Sequence, residues 1–390
     1  MTKKLRFVFL WIVSLGIGSG CMVEPLKEPV NRIVLNVDKH IVPDHRVAVF
    51  EVEARQEAGQ VVLRGKTNVV EAHRALLDSL EVLGLSVIDS LKQLPAAELG
   101  EHTWALTSLS VSPIRKRPSF ASEMVSQAIM GTPVALLDRK GSWYLIQTPD
   151  QYVGWITGSS LQRLTNKELK AWNKSNRLVF TEISGTVYSD ADELSDPVSD
   201  LALGCMVKGL GKQNGYWQVE LPDRRKGFVK IADWMTFEQW AVDQPQVEAV
   251  IATAKSLLGR PYLWGGTSAK GVDCSGLIKT AYLSQGLILA RDASQQARYG
   301  QVLPLTDSTR FEPGDLLFFG GSKERITHVA LYLENDHYIH ASGRVKINSL
   351  NPEHASFDAA RKDDLVSACR VFNALGTTQI TLARDHPWYN

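Results

Sequence analysis

The chain has few cysteines, no excess of charge of either sign and no long apolar run. Four cysteines in 390 residues exclude a disulfide framework. Lys plus Arg number 43 and Asp plus Glu number 42, and no basic stripe is interleaved with aromatic residues. Nucleic acid is therefore not an expected partner. The nine histidines form no His-Glu-x-x-His pattern and no Cys-x-x-Cys pair occurs, so we expect no metal and no cofactor.

The first 21 residues have the pattern of an export signal. A basic segment at residues 3–6 precedes an apolar run, Phe7 to Ile17, that is too short to span a membrane. Small residues then precede Cys21, as in bacterial lipoprotein signals, where that cysteine becomes the lipidated N-terminus. Gly18 departs from the usual Leu, so cleavage by an ordinary signal peptidase stays an alternative. Either route predicts the cell envelope as the location, and lipidation would add a membrane anchor.

Cys274 is the candidate nucleophile. It follows Gly271-Val272-Asp273 and precedes apolar residues at helical spacing, which places it where a loop becomes a helix. The N-terminus of a helix presents unpaired N–H groups and the positive end of the dipole, both of which favour a thiolate. This position therefore makes Cys274 a candidate for covalent catalysis, with an imidazole needed within hydrogen-bond reach to activate it.

Two histidines downstream are candidates for the base and for the group that orients it. His328 begins a predicted strand in which Val329, Leu331 and Leu333 alternate, and His340 lies in the next predicted strand. Neighbouring antiparallel strands can place these two rings side by side, with His340 fixing the tautomer of His328. His337 is a competitor for the orienting role, but it lies on the other parity of its strand.

Several linked motifs in the last third of the chain resemble those of the NlpC-type cysteine peptidases, papain-like enzymes that cut bacterial cell-wall peptides. The resemblance covers about residues 245–375. The matching stretches are Gly259-Arg260-Pro261-Tyr262-Leu263-Trp264-Gly265-Gly266, Asp273-Cys274-Ser275-Gly276, Pro313-Gly314-Asp315-Leu316, Thr327-His328-Val329-Ala330-Leu331-Tyr332 and Ile339-His340-Ala341-Ser342.

The resemblance assigns roles to individual residues. It implies that Cys274 is the nucleophile, His328 the general base and His340 the polar third member. It also implies that Tyr262 lies near the cysteine and helps to hold the oxyanion. Positions that line the substrate pocket in this family are matched by Asp273, Ser275 and Ser294.

Residues 105–235 contain an internal repeat. Short predicted strands, glycine turns and a tryptophan that opens one strand (Trp143 in the first copy, Trp217 in the second) indicate two small antiparallel barrels. Both resemble bacterial SH3-like domains, with expected bounds of 105–165 and 177–235. The segment from Asn166 to Asn176 is predicted to be a helical connector.

A small module at residues 32–100 is expected ahead of the barrels, after a polar linker at residues 24–31. Its pattern predicts two strands of a hairpin, a helix capped by Thr67 or Asn68 and ended by Gly84, and a final strand. It carries no catalytic constellation, so a spacer or docking role is expected. Cys205 and Cys369 fall in different predicted domains, and two buried free thiols are expected there, a mutual disulfide being the alternative.

The sequence thus predicts a multidomain α+β protein: an N-terminal α/β module, two SH3-like barrels and a papain-like catalytic domain. This architecture resembles the γ-D-glutamyl-L-diamino acid endopeptidases, also called dipeptidyl-peptidase VI, which cut after L-Ala-γ-D-Glu bearing a free amine. In such enzymes the first barrel caps the cleft and supplies an acid for the ammonium.

Glu123 is the candidate for that acid, a solvated surface glutamate being the alternative. Peptidoglycan peptides are the expected substrates, with diaminopimelate or lysine as the diamino acid. Two other functions stay open: a wall-binding protein with an inert peptidase domain, and an acyltransferase or amidase on the same scaffold.

Overall fold

The structure, a computed structural model, describes residues 27–390 except residues 58, 243, 307–309 and 378. The predicted export signal and Cys21 lie outside the described residues. Among the described helices, none combines the length and the apolar character needed to cross a bilayer. The fold is multidomain and mixed α+β, as predicted.

The N-terminal module has two helices on a three-stranded sheet. Its elements are α1 (Lys27–Ile41), β1 (Phe50–Glu57), β2 (Gln60–Thr67), α2 (Val70–Val82) and β3 (Val87–Gln93). The sheet order is β1-β2-β3, with β1 antiparallel and β3 parallel to β2. Apolar residues of both helices meet β2 in one buried cluster, which includes Val30, Val37, Leu63, Leu76 and Leu80.

Helix α1 was not predicted, and part of the expected linker at residues 24–31 belongs to it. Apolar residues 30, 33, 34 and 37 form one stripe of helical spacing, and Pro29 falls in the first turn, where proline is tolerated.

The predicted cap of α2 was also wrong, because the N-cap residue is Val69 and it receives no side-chain cap. The Thr67 hydroxyl accepts from Val69 N (3.0 Å), while Asn68 Oδ1 accepts from Val49 N (2.8 Å).

The two barrels have the same topology. The first contains β4 (Trp104–Thr107), β5 (Val111–Arg115), β6 (Met124–Ile129), β7 (Pro133–Lys140), β8 (Trp143–Gln147), β9 (Val153–Thr157) and β10 (Leu161–Leu164). A connecting helix, α3 (Asn166–Asn173), follows and begins with a capping box between Thr165 and Glu168.

The second barrel contains β11 (Arg177–Phe180), β12 (Ser184–Tyr188), β13 (Pro197–Ala202), β14 (Met206–Gln213), β15 (Tyr216–Glu220), β16 (Lys226–Lys230) and β17 (Trp234–Thr236). Strand orders are β10-β4-β7-β8-β9-β5-β6 and β13-β12-β16-β15-β14-β11-β17, which are equivalent when one sheet is read from its other edge.

The C-terminal domain packs helices on a six-stranded sheet. Its helices are α4 (Phe237–Trp240), α5 (Val247–Ser256), α6 (Cys274–Leu283), α7 (Ala293–Gln296) and α8 (Ala359–Asp363). Its strands are β18 (Thr267–Ser268), β19 (Gly271–Val272), β20 (Leu287–Leu289), β21 (Gln301–Leu303), β22 (Leu316–Gly320), β23 (Ile326–Tyr332), β24 (His337–Ser342), β25 (Arg344–Ser349), β26 (Leu365–Arg370) and β27 (Ile380–Leu382). The main sheet has the order β21-β26-β22-β23-β24-β25 and is antiparallel at every described pairing.

The alternation predicted for β23 separates the two faces of this sheet. Val329 and Leu331 pack with the apolar residues of α6 in the main core of the domain. Ala330 and Tyr332 pack on the other face, with Phe319. The start of α6 is thereby held against the middle strands of the sheet.

The C-terminal tail, which has no pattern that predicts a structure or a role, connects the domains. Strand β27 pairs with β20, Arg177 Nη1 donates to the carbonyl of Tyr389 (2.8 Å), and His386 Nε2 lies 3.0 Å from the carbonyl of Pro149. Cys205 and Cys369 are buried free thiols, as expected.

Candidate active site

Cys274 is the first residue of α6, and Asp273 is the N-cap whose Oδ1 accepts from Gly276 N at 2.7 Å. This cap explains an acidic residue before the cysteine. A Cβ added at Gly276 would lie 1.8 Å from the carbonyl oxygen of Gly266, so the close approach of the helix start to that loop requires glycine. The Cys274 side chain ends up buried, with 7% of its surface exposed.

A buried arginine that the sequence analysis did not select, Arg291, organises the residues around the thiol. Its Nη2 lies 2.5 Å from Asp273 Oδ2, and its Nη1 donates to Ser275 Oγ at 3.0 Å. Its Nε donates to the carbonyl of Val125 in the first barrel at 3.0 Å. Arg291 therefore offsets the charge of Asp273 and ties the nucleophile loop to the barrel.

The helix start does not by itself make Cys274 a thiolate at rest. Burial and the negative charge of Asp273 raise the pKa of the Cys274 thiol to about 11, although contacts with the backbone N–H groups of Val329 and Ser275 act in the opposite direction. The effect of the helix N-terminus is outweighed first by the burial of the sulfur and then by the negative charge of Asp273, the N-cap residue. The resting thiol is protonated at neutral pH and needs a base during attack.

The two histidines form a buried pair that continues to an asparagine. His328 Nε2 and His340 Nδ1 are 2.8 Å apart, and His340 Nε2 is 3.1 Å from Asn348 Oδ1 on β25. Asn348 Nδ2 donates to the carbonyl of Ser356 at 3.1 Å. Burial is the main reason that the pKa of His328 falls to about 2 and the pKa of His340 to about 4, so both rings are neutral near pH 7.

The thiol and the histidine pair meet at β23. The backbone N–H that acts on Cys274 belongs to Val329, the residue directly after His328. Within the described residues no hydrogen bond joins the thiol to either imidazole, and catalytic hydrogen bonds often tighten only when substrate binds. His337 is not part of this arrangement, since its Nε2 lies 3.1 Å from His354 Nε2 on the exposed side.

A cavity of about 410 Å³ opens at Cys274 between the C-terminal domain, the first barrel and the N-terminal module. Six residues selected from the sequence line it: Glu123, Tyr262, Asp273, Cys274, Ser275 and Ser294. The cavity wall also includes residues that the sequence analysis did not select, among them Arg46, Tyr152, Trp264 and Asp292. His328 and His340 lie behind the wall, buried in the sheet.

Tyr262 borders the cavity half-buried, and its hydroxyl remains protonated over the physiological range. Burial, followed by the charges of Cys274 and Asp273, raises the pKa of Tyr262 to about 12. A protonated phenol beside the sulfur can donate a hydrogen bond to an oxygen that gains negative charge.

Glu123 lies on the barrel side of the cavity. Its Oε1 accepts from Trp264 Nε1 at 2.9 Å, and its Oε2 is 3.5 Å from Lys116 Nζ in an exposed contact. Asp292, the other partly exposed carboxylate of the cavity, is paired with Arg46 at 3.0 Å. Glu123 therefore has the weakest pairing with a cation among the carboxylates of this cavity.

Comparisons with known proteins agree with this organisation. Residues 259–360 match the NlpC/P60 family, and residues 114–161 match the bacterial dipeptidyl-peptidase Sh3 domain. The chain is 30% identical over 278 residues to dipeptidyl-peptidase 6 of Lysinibacillus sphaericus, covering 66% of this chain and 94% of that protein. It is 28% identical over 279 residues to gamma-D-glutamyl-L-lysine dipeptidyl-peptidase of Bacillus cereus, covering 67% and 82%.

A solved structure is similar in fold. The crystal structure of an NlpC/P60 family protein from Bacillus cereus superposes with a TM-score of 0.60 at 23% identity, covering 68% of this chain and 99% of that one. With a matched family profile, a relative aligned over nearly its whole length and a buried cysteine at a helix start, the chain belongs to the NlpC/P60 family of cysteine peptidases.

Proposed function

We propose that this peptidase hydrolyses the γ-D-glutamyl-L-diamino acid bond of peptidoglycan-derived peptides that carry a free N-terminal L-Ala. The observation that carries the proposal is the cavity in which Cys274 of the peptidase domain faces Glu123 of the first barrel. A nucleophile and a weakly paired carboxylate that line one cavity suit a short peptide with a free ammonium. The names of the relatives from Lysinibacillus sphaericus and Bacillus cereus support the same class of substrate.

The chain of hydrogen bonds from Ser356 to His328 supports the assignment of His328 as the base. The Ser356 carbonyl can only accept, so Asn348 turns its amide nitrogen toward it and its Oδ1 toward His340. His340 must then carry its proton on Nε2 and accept at Nδ1 from Nε2–H of His328. The lone pair of His328 is left on Nδ1, which makes this nitrogen the base for the Cys274 thiol.

Catalysis follows from these protonation states. The sulfur of Cys274 attacks the γ-carbonyl carbon of D-Glu while its proton passes to Nδ1 of His328, and the Tyr262 hydroxyl donates to the developing oxyanion. His328 then returns the proton to the leaving amine of the diamino acid, leaving a thioester on Cys274. Water attacks the thioester with His328 again as base, which releases the dipeptide and restores the thiol.

Glu123 is proposed to bind the substrate ammonium. Its Oε1 is already oriented by Trp264, and the only cation near its Oε2 among the described residues, Lys116, is 3.5 Å away and exposed. An L-Ala that is amide-linked to muramic acid has no positive charge to pair with this carboxylate. It also carries an N-terminal extension, which would clash with the barrel side of the cavity. Loss of one charge-assisted hydrogen bond costs about 1.5–3 kcal/mol, or roughly ten- to a hundredfold.

The test is a comparison of kcat/KM for L-Ala-γ-D-Glu-diamino acid and for the same peptide linked to muramic acid. The free peptide is expected to be cut at least tens of times faster. Equal rates would show that the cavity does not select the free amine. Diaminopimelate and lysine versions of both peptides, run in parallel, determine which diamino acid is preferred.

Export to the cell envelope with lipidation at Cys21 is also part of the proposal. It rests on the basic segment, the apolar run and the small residues before Cys21, all of which lie outside the described residues. Metabolic labelling with an alkyne-bearing fatty acid should mark the wild-type protein and not Cys21→Ser. An exported wild-type protein without label would instead indicate ordinary signal-peptide cleavage.

A further inference from the structure

The N-terminal module contributes a side chain to the catalytic cavity. Arg46, in the loop between α1 and β1, lines the same cavity as Cys274. This loop lies outside both segments that match known families, residues 114–161 and 259–360. The expected spacer role of the module therefore leaves this contact unexplained.

Arg46 holds two residues of the first turn of α7 at the cavity wall. Its Nη1 is 3.0 Å from Asp292 Oδ2 and 3.0 Å from Ser294 Oγ. Its Nε and Nη2 donate to the two carboxylate oxygens of Asp44 at 2.7 Å each. Asp44 Oδ2 also accepts from Gln295 Nε2 at 3.0 Å, so both Asp44 and Arg46 bind side chains at the start of α7.

The loop is also fixed to the first barrel through its main chain. Val153 N donates to the carbonyl of Arg46 at 2.7 Å, and Gln147 Nε2 donates to the carbonyl of Val47 at 2.8 Å. The guanidinium is therefore placed by the barrel and acts on the peptidase domain. Since four hydrogen bonds bind it to protein groups, its influence on a substrate passes through Asp292, Ser294 and the charge of the cavity.

We propose that Arg46 is a positioning residue that sets the specificity of the cavity for a substrate bearing a carboxylate. This inference rests on the proposed function, in which the γ-linked D-Glu presents a free α-carboxylate separated from the scissile carbonyl by three carbons. Arg46 offsets the charge of Asp292 and orients the Ser294 hydroxyl. Without Arg46, Asp292 keeps only a 3.8 Å contact with Arg291, which Asp273 already engages, and its less neutralised charge repels the α-carboxylate of the substrate.

The experiment compares two synthetic peptides, L-Ala-γ-D-Glu-diamino acid and its analogue with the D-Glu α-carboxylate converted to an amide. For Arg46→Gln, KM for the acid peptide is expected to rise on the order of tenfold, and KM for the amide peptide by less than about threefold. Turnover at saturation should change little, because the reacting atoms keep their places. Arg46→Lys retains the charge and should keep most of the preference for the acid peptide.

Arg55→Ala is the matched control, because Arg55 lies in the same module and pairs with Glu53 on the exposed surface. It should leave both KM values unchanged, and thermal melting of all variants reports whether they fold. An equal rise of KM for the two peptides in Arg46→Gln, or no rise for either, would overturn the inference. If the wild-type enzyme cut neither peptide, the proposed function itself would fail, which is a separate outcome.

Discussion

Replacing Asn348 by leucine is expected to lower kcat by about ten- to a hundredfold while KM stays near the wild-type value. The substitution leaves Nε2–H of His340 buried without an acceptor, which costs about 1–3 kcal/mol. His340 can avoid that cost by moving its proton to Nδ1 and donating to His328. The proton of His328 then sits on Nδ1, and the base for Cys274 is lost for that fraction of molecules.

The assay is steady-state hydrolysis of a free-amine peptide, measured across the pH range, with ¹⁵N NMR of the histidines as a direct reading of the tautomers. Asn348→Asp keeps an acceptor for His340, so it should retain more activity than the leucine variant. Its negative charge should move the acidic limb of the pH profile upward. Asn351→Asp is the control, because the Asn351 side chain caps the neighbouring loop by accepting from Glu353 N at 2.9 Å. A wild-type kcat in Asn348→Leu would show that Asn348 does not set the tautomers of His340 and His328.

Three other predictions concern the histidine pair, the Cys274 thiol and Glu123. The pKa values of His328 and His340 in the folded protein lie below the ordinary value of about 6.5. As the pH falls, the unfolded chain therefore takes up protons first, and the folded state loses stability below about pH 6.5. The loss is up to about 1.4 kcal/mol per pH unit for each ring. Denaturant titrations should show a shallower loss in His340→Asn, and equal slopes would contradict the shifts. Alkylation of Cys274 should accelerate with pH up to about pH 10, whereas a plateau below about pH 8 would reveal a resting thiolate. Glu123→Gln should weaken the preference for free over muramyl-linked peptides, and Glu98→Gln, an exposed partner of Lys92, should not.

The helix and the strands that carry the catalytic residues could be predicted from the sequence. Helical spacing after Cys274 and alternation after His328 are local signals, and both elements occur where these signals place them. The strand pairing that brings His328 next to His340 follows from the turn between two consecutive strands. Local pattern and short-range topology therefore predict this part of the domain.

The remaining features of the site depend on contacts between residues that are far apart in the chain, and local sequence patterns do not reveal such contacts. Arg46 and Asp292 are 246 residues apart, and no periodicity connects them. The sequence shows the helix start that favours a thiolate at Cys274, but it does not show the burial that outweighs it, because burial depends on the packed domain. Asn348 gave no signal either, since its role requires both the register of β24 with β25 and the position of the Ser356 carbonyl.

The most direct test of the central claim is mass spectrometry of the products formed from defined peptides by the wild-type enzyme and by Cys274→Ala. We expect release of L-Ala-D-Glu and the intact diamino acid part from the wild-type reaction, and no products from a folded Cys274→Ala protein. The variant exchanges one small buried side chain for another, so its stability should change by no more than about 1–2 kcal/mol. Cleavage at a different bond, an acyl group transferred to another acceptor, or persistent cleavage by the alanine variant would contradict the account.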